Sequence, residues 1–157
     1  MVELIETVVS ALTAAGLHAA AAMPAAISPR LQMPAIAVGM EEMETAPGGF
    51  SSYLGMQDGQ PVYGLRLTGK LRLEVLSPTA DGAGKCREAM DAAAAVLAEG
   101  VEGVGIYNLT AFEPEYERAA DCFRGKLTAQ CRLWLCADEP EPEVGEVEHF
   151  ILKGALQ

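Results

Sequence analysis

Aromatic residues are scarce in this chain, histidines number two, and no two cysteines stand at CxxC spacing. Few aromatics mean a core of small side chains packed around Leu and Val. His18 and His149 lie at opposite ends of the sequence, and Cys86, Cys122, Cys131 and Cys136 show no CxxC spacing, so the close Cys/His pairs of a zinc site are missing. No run approaches the roughly 18 apolar residues that a membrane span needs, so no membrane partner is expected. Basic residues are in deficit, 11 against 22 acidic, for a net charge of −11. Such a balance argues against non-specific binding of nucleic acid or anionic lipid by the surface as a whole. The opening "MVELIETVV" carries acids where a secretory signal carries bases, which leads us to expect a cytosolic chain with reduced thiols.

What is present is apolar patterning. Half of the 157 residues are hydrophobic, enough for one folded domain that buries about two-thirds of its unfolded surface. Residues 3–15 place Leu4, Val8, Ala11, Leu12 and Ala15 at helical spacing, with Gly16 to stop the helix. A short strand is expected within 17–23 and another, led by Pro34, over 34–40. The stretch 44–61 concentrates turn chemistry: Gly48-Gly49 reads as a flexible loop that touches a partner, and Asp58-Gly59 as a hairpin signal.

Residues 63–76 alternate strictly. Tyr63, Leu65, Leu67, Leu71, Leu73 and Val75 share one side with Gly69; Arg66, Thr68, Lys70, Arg72 and Glu74 share the other. A helix follows from Asp81 or Gly82 to about Glu99, with Cys86, Met90, Ala93, Ala94 and Leu97 as its apolar stripe and Gly100 as its cap. Strand character resumes over 104–118, where Pro114 implies an edge or a bend. "FRGKLTAQCRLWL" (123–135) then repeats the alternation. Phe123, Leu127, Ala129, Cys131, Leu133 and Leu135 face one way with Gly125, and Arg124, Lys126, Thr128, Gln130 and Arg132 the other, with Trp134 as the exception. The expected fold is a two-layer α+β domain, a mainly antiparallel sheet with two helices packed on one face. It covers 1–136; an acidic, Pro-rich linker and C-terminal extension make up 137–157.

Motifs for chemistry are weak. "GAGK" (82–85) opens a helix, but a P-loop needs Gly where Thr79 stands and Ser or Thr where Cys86 stands. The acidic clusters "MEEMET" and "DEPEPE" lack the accompanying bases that acid–base catalysis requires and read as solvated face or linker. "NLT" (108–110) matches a glycosylation sequon without a secretory context. No catalytic, cofactor-binding or metal-binding residue is assigned, and an enzyme has the least support.

The two cationic strands are the informative feature. Arg66, Lys70, Arg72, Arg124, Lys126 and Arg132 are six of the eleven basic residues, and neighbouring strands would gather them into one positive face. Like charges directly across a ladder repel, so compensating groups are expected nearby. Three readings fit: an ordinary solvated face, a surface docking onto acidic groups of another subunit or of the acidic tail, and a contact with passing nucleic acid.

The order of elements resembles the tail terminator family, and related head–tail joining (minor tail) proteins, of long-tailed bacteriophages. The likeness spans about 2–136. It rests on a helix ending at "AAG", the Pro-led "PRLQMPAIAV", the long strand "GLRLTGKLRLEVLSP" before a helix, and the closing "FEPEYERAADCFRGKLTAQCRLWL". The resemblance implies a non-enzymatic virion protein that assembles in the bacterial host cytoplasm into a homo-hexameric ring. It implies a tail tube protein and a head connector as partners, with DNA passing through the opening and no cofactor. Interface residues expected on this basis are Arg66, Lys70, Arg72, Arg124, Lys126 and Arg132, with Gly48, Gly49 and Phe50 of the loop against the tube or connector. The rival expectation is a small regulatory or ligand-binding α+β domain.

Overall fold

The computed structural model describes residues 2–21, 33–45, 52–57 and 59–136. The chain opens with helix α1 (Val2–Ala14) and strand β1 (His18–Ala20). Strands β2 (Ala35–Thr45), β3 (Ser52–Gln57) and β4 (Gln60–Pro78) follow. A single 3-10 turn (Thr79–Asp81) leads into helix α2 (Gly82–Glu99), then strands β5 (Gly105–Glu117) and β6 (Cys122–Cys136) close the domain. The sheet order is β1-β2-β4-β6-β5, with β3 also paired to β4. All pairs are antiparallel except β1 with β2. The fold is α+β, as the alternating strands and two amphipathic segments led us to expect.

α1 stops where Gly16 takes φ +83. There the Leu17 N–H donates to the Leu12 carbonyl at 3.1 Å and the Gly16 N–H to the Thr13 carbonyl at 2.9 Å, the paired bonds of a left-handed helix stop. α1 turns Leu4, Val8 and Leu12 inward, and α2 turns in Cys86, Ala89, Met90, Ala93 and Leu97. Both stripes meet one face of the sheet, formed by Ile36 and Val38, by Leu71, Leu73 and Val75, and by Leu127, Ala129 and Cys131. Ala94 is only partly buried and Ala15 is exposed, so the helical stripes are narrower than the sequence implied.

The register explains two glycines on that inner face. Val75 pairs with Gly125, and Gly69 pairs with Cys131. At Gly125 the space a Cβ would take is occupied by Met90 Sδ and, at 3.0 Å, Cys86 Sγ. At Gly69 it lies 3.1 Å from Met40 Sδ and 3.2 Å from Cys131 Sγ. Each glycine is a socket for sulfur-bearing side chains. Cys86, Cys122 and Cys131 are buried free thiols, and burial pushes the pKa of each upward.

Two sequence expectations change. The stretch 44–61 is not all turn: β2 continues to Thr45, and β3 occupies Ser52–Gln57. β2 and β3 line the same edge of β4 in succession, β2 opposite Leu67 to Leu76 and β3 opposite Gln60 to Gly64. Gln57 pairs with Gln60 across a two-residue connection in which Gly59 has φ +81, so the hairpin signal stands. The second change is in β2. Glu41 has no partner in the ladder: Met40 pairs with Leu71 and Glu42 with Lys70. This one-residue bulge puts both Glu41 and Glu42 on the outer face while Met40 and Met43 both turn inward. Without it, alternation would send Glu42 into the core. Deleting Glu41 should therefore leave a folded protein whose strand keeps both faces; collapse to an aggregated or unfolded chain by circular dichroism would contradict its role as the extra residue.

β5 is an edge strand, as Pro114 implied. Its pairing to β6 breaks between Tyr107 and Thr110 and again between Phe112 and Glu115, and Asn108 sits at φ +52. The turn into β6 is tied down at Asp121. Thr79 Oγ1 donates to the Asp121 carbonyl at 2.5 Å, and Tyr116 Oη donates to Asp121 Oδ1 at 2.9 Å.

Candidate functional site: the outer face of the sheet

β4 and β6 are neighbours in continuous register from Gly64–Cys136 to Pro78–Cys122. Their polar sides therefore form one surface, and all six predicted cations lie on it. Arg66 stands opposite Trp134, Thr68 opposite Arg132, Lys70 opposite Gln130, and Arg72 opposite Thr128. Glu74 faces Lys126, and Leu76 faces Arg124. No two cations are directly paired. Each instead meets an amide, a hydroxyl, a carboxylate or an apolar side chain, the arrangement that cross-strand repulsion favours.

The expected positive face does not result, because the flanking strands supply acids. Glu41, Glu42 and Glu44 come from β2, Glu74 from β4, and Glu115 and Glu117 from β5: six carboxylates among six cations. Glu41 is the hub. Its carboxylate lies 2.6 Å from Lys126 Nζ and 3.0 Å from Lys70 Nζ, reaching over β4 to join cations of two strands. Arg124 pairs with Glu117 at 2.7 Å, and Arg72 Nε approaches Glu74 at 3.5 Å. Aromatic rings from β5 add to this. Lys126 Nζ lies 5.7 Å from the Phe112 ring centroid, and the Arg132 guanidinium lies 4.8 Å from that of Tyr107. Thr128, in the middle of the face, is buried between Arg72 on one side and Thr110 on the other.

The two ends of the surface differ. Around Lys70, Lys126 and Arg124 the cations are held by carboxylates of this chain. Arg66 and Arg132 are exposed and, among the described residues, have no carboxylate within ion-pair distance. They are diagonal neighbours, beside the half-exposed Trp134. A hollow of ≈ 190 Å³ opens nearby, lined by Glu42, Glu44, Thr68, Lys70, Tyr107 and Gln130. Among the described residues no cluster of three or more His, Cys, Asp or Glu side chains is arranged to hold a metal. Gly48, Gly49 and Phe50 lie outside the described residues, as does the acidic linker.

The hub has a pH signature. Hydrogen bonding to Lys126 first, then to Lys70, holds the Glu41 carboxyl below the usual carboxylate range. A folded pKa below the unfolded one gives stability that is complete above the unfolded pKa and is lost as pH falls through the folded value. Glu41→Gln should thus melt below the parent at neutral pH, by at most about 1 kcal/mol because these ion pairs are solvent-facing. The difference should shrink below about pH 4. A pH-independent difference in thermal melts would remove the ion pairs as its cause.

Sequence reasoning located the six cations, and Glu74 among them, but not the acids of β2 and β5 that answer them. "MEEMET" was read as solvated face or linker; two adjacent acids between inward methionines were the available signal of a bulge. Tyr107 and Phe112 left no such signal, since their use depends on which strand neighbours β6. The chain matches no protein-family model and no curated protein.

Proposed function

We propose that this chain is a non-enzymatic virion assembly protein of a phage or prophage, a ring-forming subunit of the tail terminator or head–tail connector kind. The observation that carries the proposal is the outer face: six cations in staggered register, most held by internal carboxylates, with Arg66 and Arg132, beside Trp134, lacking a carboxylate partner among the described residues. A compensated charge mosaic with an open cationic–aromatic end suits docking onto a complementary protein surface. It suits a nucleic-acid stripe poorly, because six carboxylates lie among the phosphate-seeking groups. A ring requires head-to-tail contacts in which two different patches of one subunit meet. The acidic remainder of the chain supplies a partner for the Arg66–Arg132 end. In this proposal the ring caps a tail tube and meets the head connector, assembling in the host cytoplasm before it enters the virion. DNA passes through the opening without base-specific contact.

Electron microscopy of the purified protein tests it. Closed rings of defined symmetry are expected. A protein that stays monomeric at high concentration, by sizing and by crosslinking, would rule out the ring.

A further inference from the structure

The helices do not cover the whole inner face of the sheet. Where they end, Met43, Leu67 and Leu133 floor a groove of ≈ 340 Å³. Glu3 and Thr7 of α1 form one wall, the Glu102-Gly103-Val104 turn forms the other, and Trp134 also lines it. Leu67 and Leu133 are direct partners across the ladder, and both are only partly buried. β5 begins opposite Arg132, so β6 has no described neighbour on that edge from Leu133 onward. The groove is thus apolar below, carries carboxylates at Glu3 and Glu102, and has no cation among its described lining residues.

We propose that residues 149–156 of this same chain occupy the groove. β6 runs to Cys136, two residues past Trp134, so the chain leaves the sheet beside the groove. The twelve residues 137–148 span up to roughly 40 Å when extended, ample for the chain to turn back. A tether this short keeps the segment at an effective concentration near the millimolar range, which favours its own groove over that of another copy. The chemistry also matches. Phe150, Ile151 and Leu152 form an apolar triplet in an otherwise acidic stretch, and Lys153 is the one Lys or Arg among residues 137–157. Seating the triplet on Met43, Leu67 and Leu133 brings Lys153 towards Glu3 or Glu102. Asp138, Glu139, Glu141, Glu143, Glu146 and Glu148 are repelled by the same carboxylates and stay in water. This inference is independent of the ring proposal.

Trp134 is the only tryptophan in the chain and, although it stands on the outer side of β6, it lines the groove at the unpartnered end of that strand, so its fluorescence responds to what fills the groove. In the full chain, Ile151→Asp is expected to shift its emission to the red and raise acrylamide quenching roughly twofold, as the tethered segment leaves the groove. Val144→Asp, in the tether, should change neither. Unchanged emission and quenching in both Ile151→Asp and Phe150→Asp would overturn the proposal. A photo-crosslinking benzoylphenylalanine in place of Phe150 supplies a second arm. An adduct of monomer mass on peptides carrying Met43, Leu67 or Leu133 supports docking within the chain. A dimer-mass adduct assigns the groove to a second copy, and an adduct elsewhere or none at all removes the segment from it; either overturns the proposal.

Discussion

Gly125→Ala should lower the melting temperature by roughly 6–12 °C, the equivalent of about 3 kcal/mol in a chain of this size. The inserted methyl has nowhere to go: Met90 Sδ already fills its position, and Cys86 Sγ lies 3.0 Å away. Both side chains belong to α2 and are buried, so relief requires Met90 to change rotamer within a filled core or the helix to lift from the sheet. Taken alone, exchanging Gly for Ala within a strand removes a flexible residue and should help slightly, which makes a large loss attributable to crowding. A double-mutant cycle sharpens the point. Met90→Ala alone leaves a cavity and costs about 2–5 kcal/mol. Combined with Gly125→Ala it should cost less than the sum of the two, by about 1–2 kcal/mol, because the new methyl enters the vacated space. Denaturant titrations measure all four corners. A single Gly125→Ala variant within about 0.5 kcal/mol of the parent would show that α2 is not seated in this socket.

The second large effect concerns assembly. If the proposed ring forms, Arg66→Glu combined with Arg132→Glu should raise the concentration needed for assembly at least about tenfold, some 1.4 kcal/mol, and change its dependence on salt. These two arginines have no internal carboxylate partner among the described residues, so reversing them alters what an outside surface meets and breaks no ion pair inside the sheet, although it removes the Arg132 contact with the Tyr107 ring. Arg72→Glu is the contrast. Arg72 already approaches Glu74, and its reversal should disturb the sheet's own balance more than the contact between subunits. Sedimentation at two ionic strengths distinguishes the cases; equal effects of the two changes would mean that the open end of the face is not where subunits meet.

The long strands were legible because β4 and β6 alternate over their whole length, and an alternating segment has only one way to sit half-buried. α2 was legible at both ends for a similar reason, since Asp81-Gly82 and Gly100 bracket an apolar stripe. β3 was obscured because its sequence sits among turn residues and it earns no alternation of its own: it extends an edge that β2 has left. The sign of the outer face was misjudged for a different reason. Alternation tells which side of a strand a residue takes, but not which strand lies beside it. Glu41 and Glu117 reach the cations only through sheet order, and Glu42 joins the same face only through a bulge that shifts the period of β2 by one.

The irregular outermost ribbon, β5, limits which strands could be added to this edge of the sheet. A proline without an amide hydrogen, two breaks in register and a left-handed asparagine deny an incoming strand a straight row of backbone partners. Growth by endless sheet extension is blocked on that flank. In the proposed ring, contacts on that flank would fall to side-chain surfaces, and a closed assembly has a last member where a fibre has none.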